Sequence, residues 1–375
     1  MGSELAGRTE TWVVKVGSAL ITDGASGLHR ERINHWCEQF ADLMGRGVEL
    51  VLVSSGSIAE GLHRLHWTQR PRDIHRLQAA AAVGQMGLVQ TYESALNAHG
   101  IKTAQVLLTH EDLSNRTRYL NARGTLTTLV NLHVLPVVNE NDTVTTDEIR
   151  FGDNDNLAAL VANLLEADRL IILTDQQGLY NRNPTQFTDA ELLSDADPED
   201  PALMTMAGPS AGGVGVGGMT TKVLAAKRAA RGGTQTIIAS GRENNVLLRL
   251  LNGESIGTRL TPRSAKLDAR KRWMANQLMV KGALIVDDGA CSRLKEGTTS
   301  LLAIGIKTVN GEFYRGELVS CLSESGEEVA RGLVNYNAGE IRKIAGCHSR
   351  DIEPRLGFVR EPEVINRDVM VSMRT

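Results

Sequence analysis

Phe151-Gly152-Asp153-Asn154-Asp155-Asn156 stands directly before the apolar run Leu157-Ala158-Ala159-Leu160-Val161, and Asn139-Glu140-Asn141-Asp142 stands directly after the strand-like run Val134-Leu135-Pro136-Val137-Val138. The first stretch places two carboxylates and two amides within four residues, 153–156. It lies where a loop turns into an apolar-periodic helix, and Asp and Asn are the residues that cap helix starts. Two such polar clusters at the mouth of an α/β layer suit a small, polar, amine-bearing substrate. Ordinary caps and turns use the same residues singly. The density of this cluster, together with the loops described next, points to a site.

Working outward, the same strand–turn–helix grammar repeats. Thr11-Trp12-Val13-Val14-Lys15-Val16-Gly17-Ser18 reads as a strand interrupted by Lys15. A lysine in a strand fit for burial needs an anionic partner, or else the strand is an edge and the lysine faces water. Gly17 and Ser18 would let backbone N–H groups approach a phosphate. A predicted helix over 33–44 leads to a strand over 48–53, then Ser54-Ser55-Gly56-Ser57 and a helix from 58. That turn is either a plain βα connection or an anion site built on free helix N–H groups. A long alanine-rich helix over 75–96, a strand over 101–108 and a helix over 116–130 follow, and a strand over 169–175 ends in the polar pair Thr174-Asp175. Residues 178–184 are turn-rich and 188–201 read as surface loop. Six glycines lie between Gly208 and Gly218, and Gly217-Gly218-Met219-Thr220-Thr221-Lys222 opens a helix that continues over 223–231. Backbone donors in such a loop cradle phosphate oxygens, and a lysine in the first turn adds charge. The spacing is not that of a Walker A loop. Strands over 234–239 and 257–260 flank a helix over 244–251. This alternation predicts an α/β three-layer sandwich with a mostly parallel sheet over residues 10–262.

The remainder has a different texture. Residues 261–279, which begin Thr261-Pro262, are charged and proline-marked, and 263–279 are assigned as a linker. From 280 to 363, short apolar pieces such as 283–286, 301–304 and 318–321 alternate with Asp287-Asp288-Gly289, Asn310-Gly311 and Ser325-Gly326, which predicts a small β-rich domain. Residues 281–375 hold 13 Lys+Arg and 14 Asp+Glu, so 13 − 14 = −1. That is too little positive charge for a free-standing nucleic-acid module. The whole chain of 375 residues carries −3 with 42 % hydrophobic residues, and no apolar run approaches the ~18 needed to span a membrane. The cysteines, Cys37, Cys291, Cys321 and Cys347, are scattered without a Cys-x-x-Cys pair, as expected of reduced thiols in a cytoplasmic protein.

These motifs together resemble the glutamate 5-kinases, a branch of the amino acid kinase family, in the form that carries a C-terminal PUA domain. The resemblance rests on Val14-Lys15-Val16-Gly17-Ser18, Ser54-Ser55-Gly56-Ser57-Ile58-Ala59, Asn139-Glu140-Asn141-Asp142, Gly152-Asp153-Asn154-Asp155-Asn156-Leu157, Leu173-Thr174-Asp175-Gln176-Gln177-Gly178-Leu179-Tyr180 and Gly217-Gly218-Met219-Thr220-Thr221-Lys222. Asn337, Ile341-Arg342-Lys343-Ile344-Ala345-Gly346 and His348-Ser349 resemble the end of the PUA domain. It implies phosphorylation of L-glutamate by ATP to L-glutamyl 5-phosphate, the first step of proline synthesis. It also implies Mg²⁺, feedback inhibition by L-proline, a homo-oligomer (dimer or tetramer) and hand-off of the labile product to glutamyl phosphate reductase. Carried over motif by motif, Lys15, Asp155 and Lys222 are catalytic, and Ser55, Gly56, Asp142 and Asn154 bind the substrate. Lys15, Thr174, Asp175, Val216, Gly217, Gly218, Met219, Thr220, Thr221 and Lys222 bind the nucleotide, and no protein-held metal is implied. Relatives often carry Thr where this chain has Val216, which removes one hydroxyl contact.

Residue chemistry agrees. A substrate side-chain carboxylate, with an ordinary pKa of about 4.3, is already a nucleophile at neutral pH and needs no general base. None of the nine histidines lies in these motifs. The transfer needs charge neutralisation and in-line placement. Lys15 and Lys222 would flank the phosphoryl group, with Asp155 holding both and Mg²⁺ carried on ATP phosphates and water. Two other readings compete. One is a sister kinase of the same family acting on another carboxylate, carbamate or phosphate. The other is an RNA-binding regulatory protein acting through its PUA domain, which the charge of the tail does not support.

Overall fold

The computed structural model describes residues 9–22, 27–145, 154–208, 218–262, 280–296 and 299–373. They form two compact units. The linker assigned to 263–279 lies outside the described residues, as do 151–153 and the loop 209–217 with Val216 and Gly217.

The first unit is built on a sheet of β1 (Thr11–Val16), β2 (Glu49–Ser54), β3 (Thr103–Leu108), β4 (Leu135–Glu140), β5 (Arg169–Thr174), β6 (Asp195–Ala196), β7 (Gln235–Ser240) and β8 (Thr258–Leu260). Its order is β3-β4-β2-β1-β5-β7-β8-β6. The pairings from β3 through β7 are parallel, and β8 is antiparallel to β7. Parallel strands are covered on both faces and read as continuous apolar runs, which is how β1, β2, β4 and β5 read here. The chain winds from β1 through β2, β3 and β4 to one side, then crosses to β5 on the other side of β1. The crossing makes a switch point, and the crevice beyond the carboxyl ends of β1 and β5 is where such sheets bind ligands.

Side chains of a strand alternate between faces. Trp12, Val14 and Val16 join one core with Ile33, Trp36, Phe40 and Leu43 of the helix Arg30–Gly45, and with Val246 and Leu247 of the helix Val246–Leu251. Burying each large apolar side chain there contributes about 1.5–3 kcal/mol. Val13 and Lys15 therefore face the opposite layer. That layer is supplied by the helix Asn154–Leu165, through Leu157, Ala158, Val161 and Ala162, and by the alanine-rich face of the helix Met219–Arg231. The helix Ser57–Arg64 is seated on the helix Ile74–Asn97 at glycines. A Cβ on Gly84 would lie 1.8 Å from the Ser57 carbonyl oxygen, and one on Gly61 would lie 1.7 Å from that of Ala80. The backbones touch, so only glycine fits.

The second unit has a sheet of β9 (Gly282–Val286), β10 (Ile306–Asn310), β11 (Leu318–Leu322), β12 (Glu328–Val334) and β13 (Ile365–Ser372), in the order β10-β9-β11-β12-β13. β13 extends the sheet past residue 363. Leu284, Val319, Val334 and Ile365 share its core with Ile341 and Ile344 of the helix Ala338–Ile344. Asn337 and Glu340 close a capping box on that helix, at 2.8 and 2.9 Å. Two expected details differ. Residues 301–304 are not a strand, since Leu301 makes one bridge to Ile365 and Ala303–Gly305 form a 3₁₀ turn. Asp287-Asp288-Gly289 is not a turn between strands. Asp287 Oδ1 accepts the Ala290 N–H at 2.7 Å and so starts the helix Asp288–Glu296.

Candidate active site

Lys15 answers the question its strand raised. β1 is central, so no edge is open to it, and Lys15 is 5 % exposed. Its Nζ lies 2.6 Å from Asp155 Oδ1. The Nζ of Lys222, equally buried, lies 3.0 Å from Asp155 Oδ2. Thr221 Oγ1 donates to the same Oδ2 at 2.7 Å and also approaches the Gly218 carbonyl at 2.8 Å. The carboxylate is in the first turn of the helix Asn154–Leu165 and the second lysine in the first turn of the helix Met219–Arg231. Both helix starts therefore face one another across Asp155. Burial pushes the Asp155 carboxyl toward the neutral acid. The charges of Lys15 and Lys222, with hydrogen bonds from Lys15 and Thr221, outweigh burial and hold it well below the usual carboxylate range. The trio sums to one net positive charge in a water-poor place, which a phosphate complements.

A second, neutral network adjoins it. Asn154 Nδ2 lies 2.9 Å from each of three acceptors, the Ser54 carbonyl, Ser55 Oγ and Asn139 Oδ1. The Ser54 carbonyl can only accept, so the NH₂ end of Asn154 faces inward and Oδ1 is the atom left for a ligand's donor. Ser55, accepting from Asn154, keeps its own hydroxyl hydrogen to give. Gly56 follows with φ +98°, a left-handed conformation that favours glycine, and turns the chain into the helix Ser57–Arg64. Ser57 Oγ donates to Asp142 Oδ2 at 3.1 Å. The structure thus draws Ser55, Gly56, Asn154 and, through Ser57, Asp142 to the carboxyl ends of β2 and β4. Thr174 ends β5, buried, with Oγ1 donating to the exposed Asp175 at 3.1 Å. Gly218, Met219 and Thr220 lead into the helix of Lys222, and Thr220 Oγ1 donates to the Gly208 carbonyl at 2.7 Å. Val216 and Gly217 lie outside the described residues.

Sequence reasoning missed Gln85 and Tyr92, both on the helix Ile74–Asn97. Tyr92 Oη and Ser54 Oγ are 3.1 Å apart, and Gln85 joins Asn139. The available signal was spacing: Leu77, Ala81, Gly84, Leu88 and Tyr92 mark the buried stripe, and Gln85 sits within it. Among the described residues, no group of three or more His, Cys, Asp or Glu side chains could hold a metal ion. No described helix is long and apolar enough to cross a membrane.

Two lysines clamped on one buried carboxylate, at the switch point of a mostly parallel sheet, are an arrangement suited to phosphoryl transfer, a reaction in which a protein supplies charge and placement. The amino acid kinase family model matches residues 10–240, and a PUA domain model matches 282–356. The chain belongs to the amino acid kinase family and carries a C-terminal PUA domain. It is 57 % identical over 361 residues to a protein of Chromobacterium violaceum named glutamate 5-kinase, covering 96 % of this chain and 97 % of that one. It is 58 % identical over 359 residues to the glutamate 5-kinase of Methylococcus capsulatus, covering 96 % of each. Among solved structures, carbamate kinase from Giardia lamblia bound to AMP-PNP shares the fold, with a TM-score of 0.50 at 20 % identity, over 68 % of this chain and 98 % of that one.

Proposed function

We infer that this chain is a glutamate 5-kinase: it transfers the γ-phosphoryl group of ATP to the side-chain carboxylate of L-glutamate, giving ADP and L-glutamyl 5-phosphate, the first step of proline biosynthesis. The observation that carries the chemistry is the buried Lys15–Asp155–Lys222 clamp. The carboxylate oxygen of glutamate attacks the γ-phosphorus, and the bond from that phosphorus to the β,γ-bridging oxygen breaks, leaving its electron pair on ADP. No proton moves, because the nucleophile is already ionised. Lys15 and Lys222 neutralise charge on the transferring group, and Asp155 keeps the two ammonium groups in place and apart. Thr174, Asp175 and the start of the helix Met219–Arg231 hold the nucleotide. Asn154 Oδ1 and Asp142 take the α-ammonium group, while Ser55 and the helix start after Gly56 offer donors to carboxylate oxygens.

Both oxygens of Asp155 are engaged by ammonium and hydroxyl groups, so this carboxylate serves as the lysines' anchor, and Mg²⁺ would be carried by the nucleotide's phosphates and water. When bound, it would withdraw charge from the phosphate oxygens. Residues 263–279 serve as the linker between a catalytic domain over 10–262 and the PUA domain. Inhibition by L-proline, a homo-oligomer, hand-off of the labile acyl phosphate to a reductase and a cytoplasmic location belong to the same reading. The four cysteines, buried and free, fit a reducing compartment.

The test is ADP release with ATP, Mg²⁺ and L-glutamate, with hydroxylamine present to trap the acyl phosphate as a hydroxamate. Glutamate-dependent hydroxamate is expected, suppressed by L-proline. Turnover with N-acetylglutamate, aspartate or UMP in place of glutamate would move the chain to a sister kinase. Turnover unaffected by proline would remove the feedback claim and leave the kinase.

A further inference from the structure

The neutral network ends in an unsatisfied donor. Gln85 is 6 % exposed, and its Oε1 accepts from Asn139 Nδ2 at 2.7 Å. The backbone settles which end of each amide faces which. The Glu140 N–H can only donate, and it donates to Asn139 Oδ1 at 2.9 Å. Asn139 therefore presents its NH₂ to Gln85, and Gln85 must meet it with oxygen. That leaves Gln85 Nε2 pointing away from Asn139, buried and without a hydrogen-bond partner among the described residues. Native proteins seldom leave a buried NH₂ without an acceptor, since the loss is about 1–3 kcal/mol. Nor can Gln85 easily shift: its neighbour Gly84 lies in backbone contact with Ser57 and Gly61, at the start of the helix that follows Ser55 and Gly56.

We propose that Gln85 is a further acceptor-binding residue, whose Nε2 donates to the α-carboxylate of the amino-acid acceptor. This rests on the reading of the site as one for L-glutamate. That substrate has three polar ends. The side-chain carboxylate must lie toward Lys15 and Lys222, and the α-ammonium has Asp142 and Asn154 Oδ1 as acceptors. The α-carboxylate needs donors, and those at its end of the site should be neutral. A cation there would compete with the lysines for the reacting carboxylate and admit the substrate reversed. A buried amide NH₂ on a rigid helix meets that need, and its desolvation is offset only when the ligand is bound.

The test uses the full chain and the hydroxamate assay at about pH 8.5 and again at about pH 9.5, because burial raises the pKa of a glutamate placed at position 85 and its neutral form would still donate. Gln85→Glu keeps an oxygen for Asn139 and removes the donor, whereas Gln85→Met removes both. In both variants the KM for glutamate should rise about tenfold or more, the loss of one hydrogen bond to a charged group, with the KM for ATP and kcat within about twofold. A glutamate KM within about threefold of wild type in both variants overturns the proposal. So does a rise in Gln85→Met without one in Gln85→Glu, which would make Gln85 a positioning residue acting through Asn139. Should Gln85→Glu not fold, Gln85→Met alone carries the test, and a glutamate KM within about threefold of wild type overturns the proposal. A wild type that makes no hydroxamate from glutamate overturns the functional reading and this inference with it. An active wild type with unmoved variants overturns this inference alone.

Discussion

Asn154 and Asp155 are consecutive residues of one helical turn, and each anchors a different kind of network. Asp155 holds two ammonium groups by charge, with a hydroxyl donor alongside. Asn154 holds a carbonyl, a hydroxyl and a second amide through neutral hydrogen bonds whose directions are set by the backbone groups of Ser54 and Glu140. Charge at a buried site acts strongly on whatever charge develops nearby, so on the proposed function the ionic network is the one expected to bear on the transition state. Neutral hydrogen bonds discriminate by position and donor–acceptor pattern, so the amide network is the one expected to bear on which acceptor enters. A helix start lets both share one rigid support a residue apart, because successive side chains on a helix diverge by about 100°.

If that division holds, variants in the two networks separate in kcat and KM. The largest effect is expected from Lys222→Ala, which removes a charge from the transferring group. Its kcat should fall about 10³-fold in the hydroxamate assay, with the glutamate KM little changed. Near-normal turnover would remove Lys222 from the chemistry. Asp155→Asn comes next. Its amide can accept from one lysine but must turn an N–H toward the other, and breaking such a buried arrangement costs about 3–5 kcal/mol. A clear drop in thermal midpoint should accompany a fall in kcat. The pH dependence follows from the depressed Asp155 pKa. The stabilisation is fully present above the ordinary value of 3.8 and is lost as pH falls through the lower folded value. The gap in thermal midpoint between wild type and Asp155→Asn should therefore stay level from about pH 6 to 8 and close only below about pH 4. A gap that changes around neutrality would assign the titration to another group.

Asn139→Leu probes the neutral network. It removes the acceptor that Asn139 Oδ1 offers to the Glu140 N–H and to Asn154 Nδ2, and the donor that meets Gln85 Oε1. The glutamate KM should rise about tenfold, with a smaller change in kcat. A fall in kcat at constant KM would show that the networks are not separable. The smallest effect on the kinetics, though not on stability, is expected from Gly84→Ala, whose Cβ would meet the Ser57 carbonyl at 1.8 Å. Forcing the two helices apart should cost about 1–3 kcal/mol in thermal unfolding. The glutamate KM should rise modestly while the KM for ATP is unchanged, because only the acceptor-side helix is displaced.

Much of the fold was legible because parallel strands and their covering helices write their burial in local patterns. The runs at β1, β2, β4 and β5 and the polar residues ending them could be read without knowing the strand order. What was not legible was where those ends meet. Lys15 in an apolar strand was equally compatible with an edge position facing water, and only the order β2-β1-β5 made it central. Gln85 escaped notice because a glutamine in an alanine-rich helix resembles surface, and its partner Asn139 lies 54 residues further along the chain. In the second unit, Asp287 and Asp288 read as a turn between strands, since the residues that cap a short helix and those that make a turn are the same.

The sequence by itself marked which residues are candidates for the chemistry. Lysines, amides and carboxylates at the ends of apolar runs are local facts, and so is the glycine in Ser54-Ser55-Gly56-Ser57. The tertiary structure alone decided which of them act together. Lys15 and Lys222 are 207 positions apart, since 222 − 15 = 207. They meet on Asp155 because a parallel sheet gathers the carboxyl ends of its strands on one edge, and helix starts return to that edge whatever length of chain lies between.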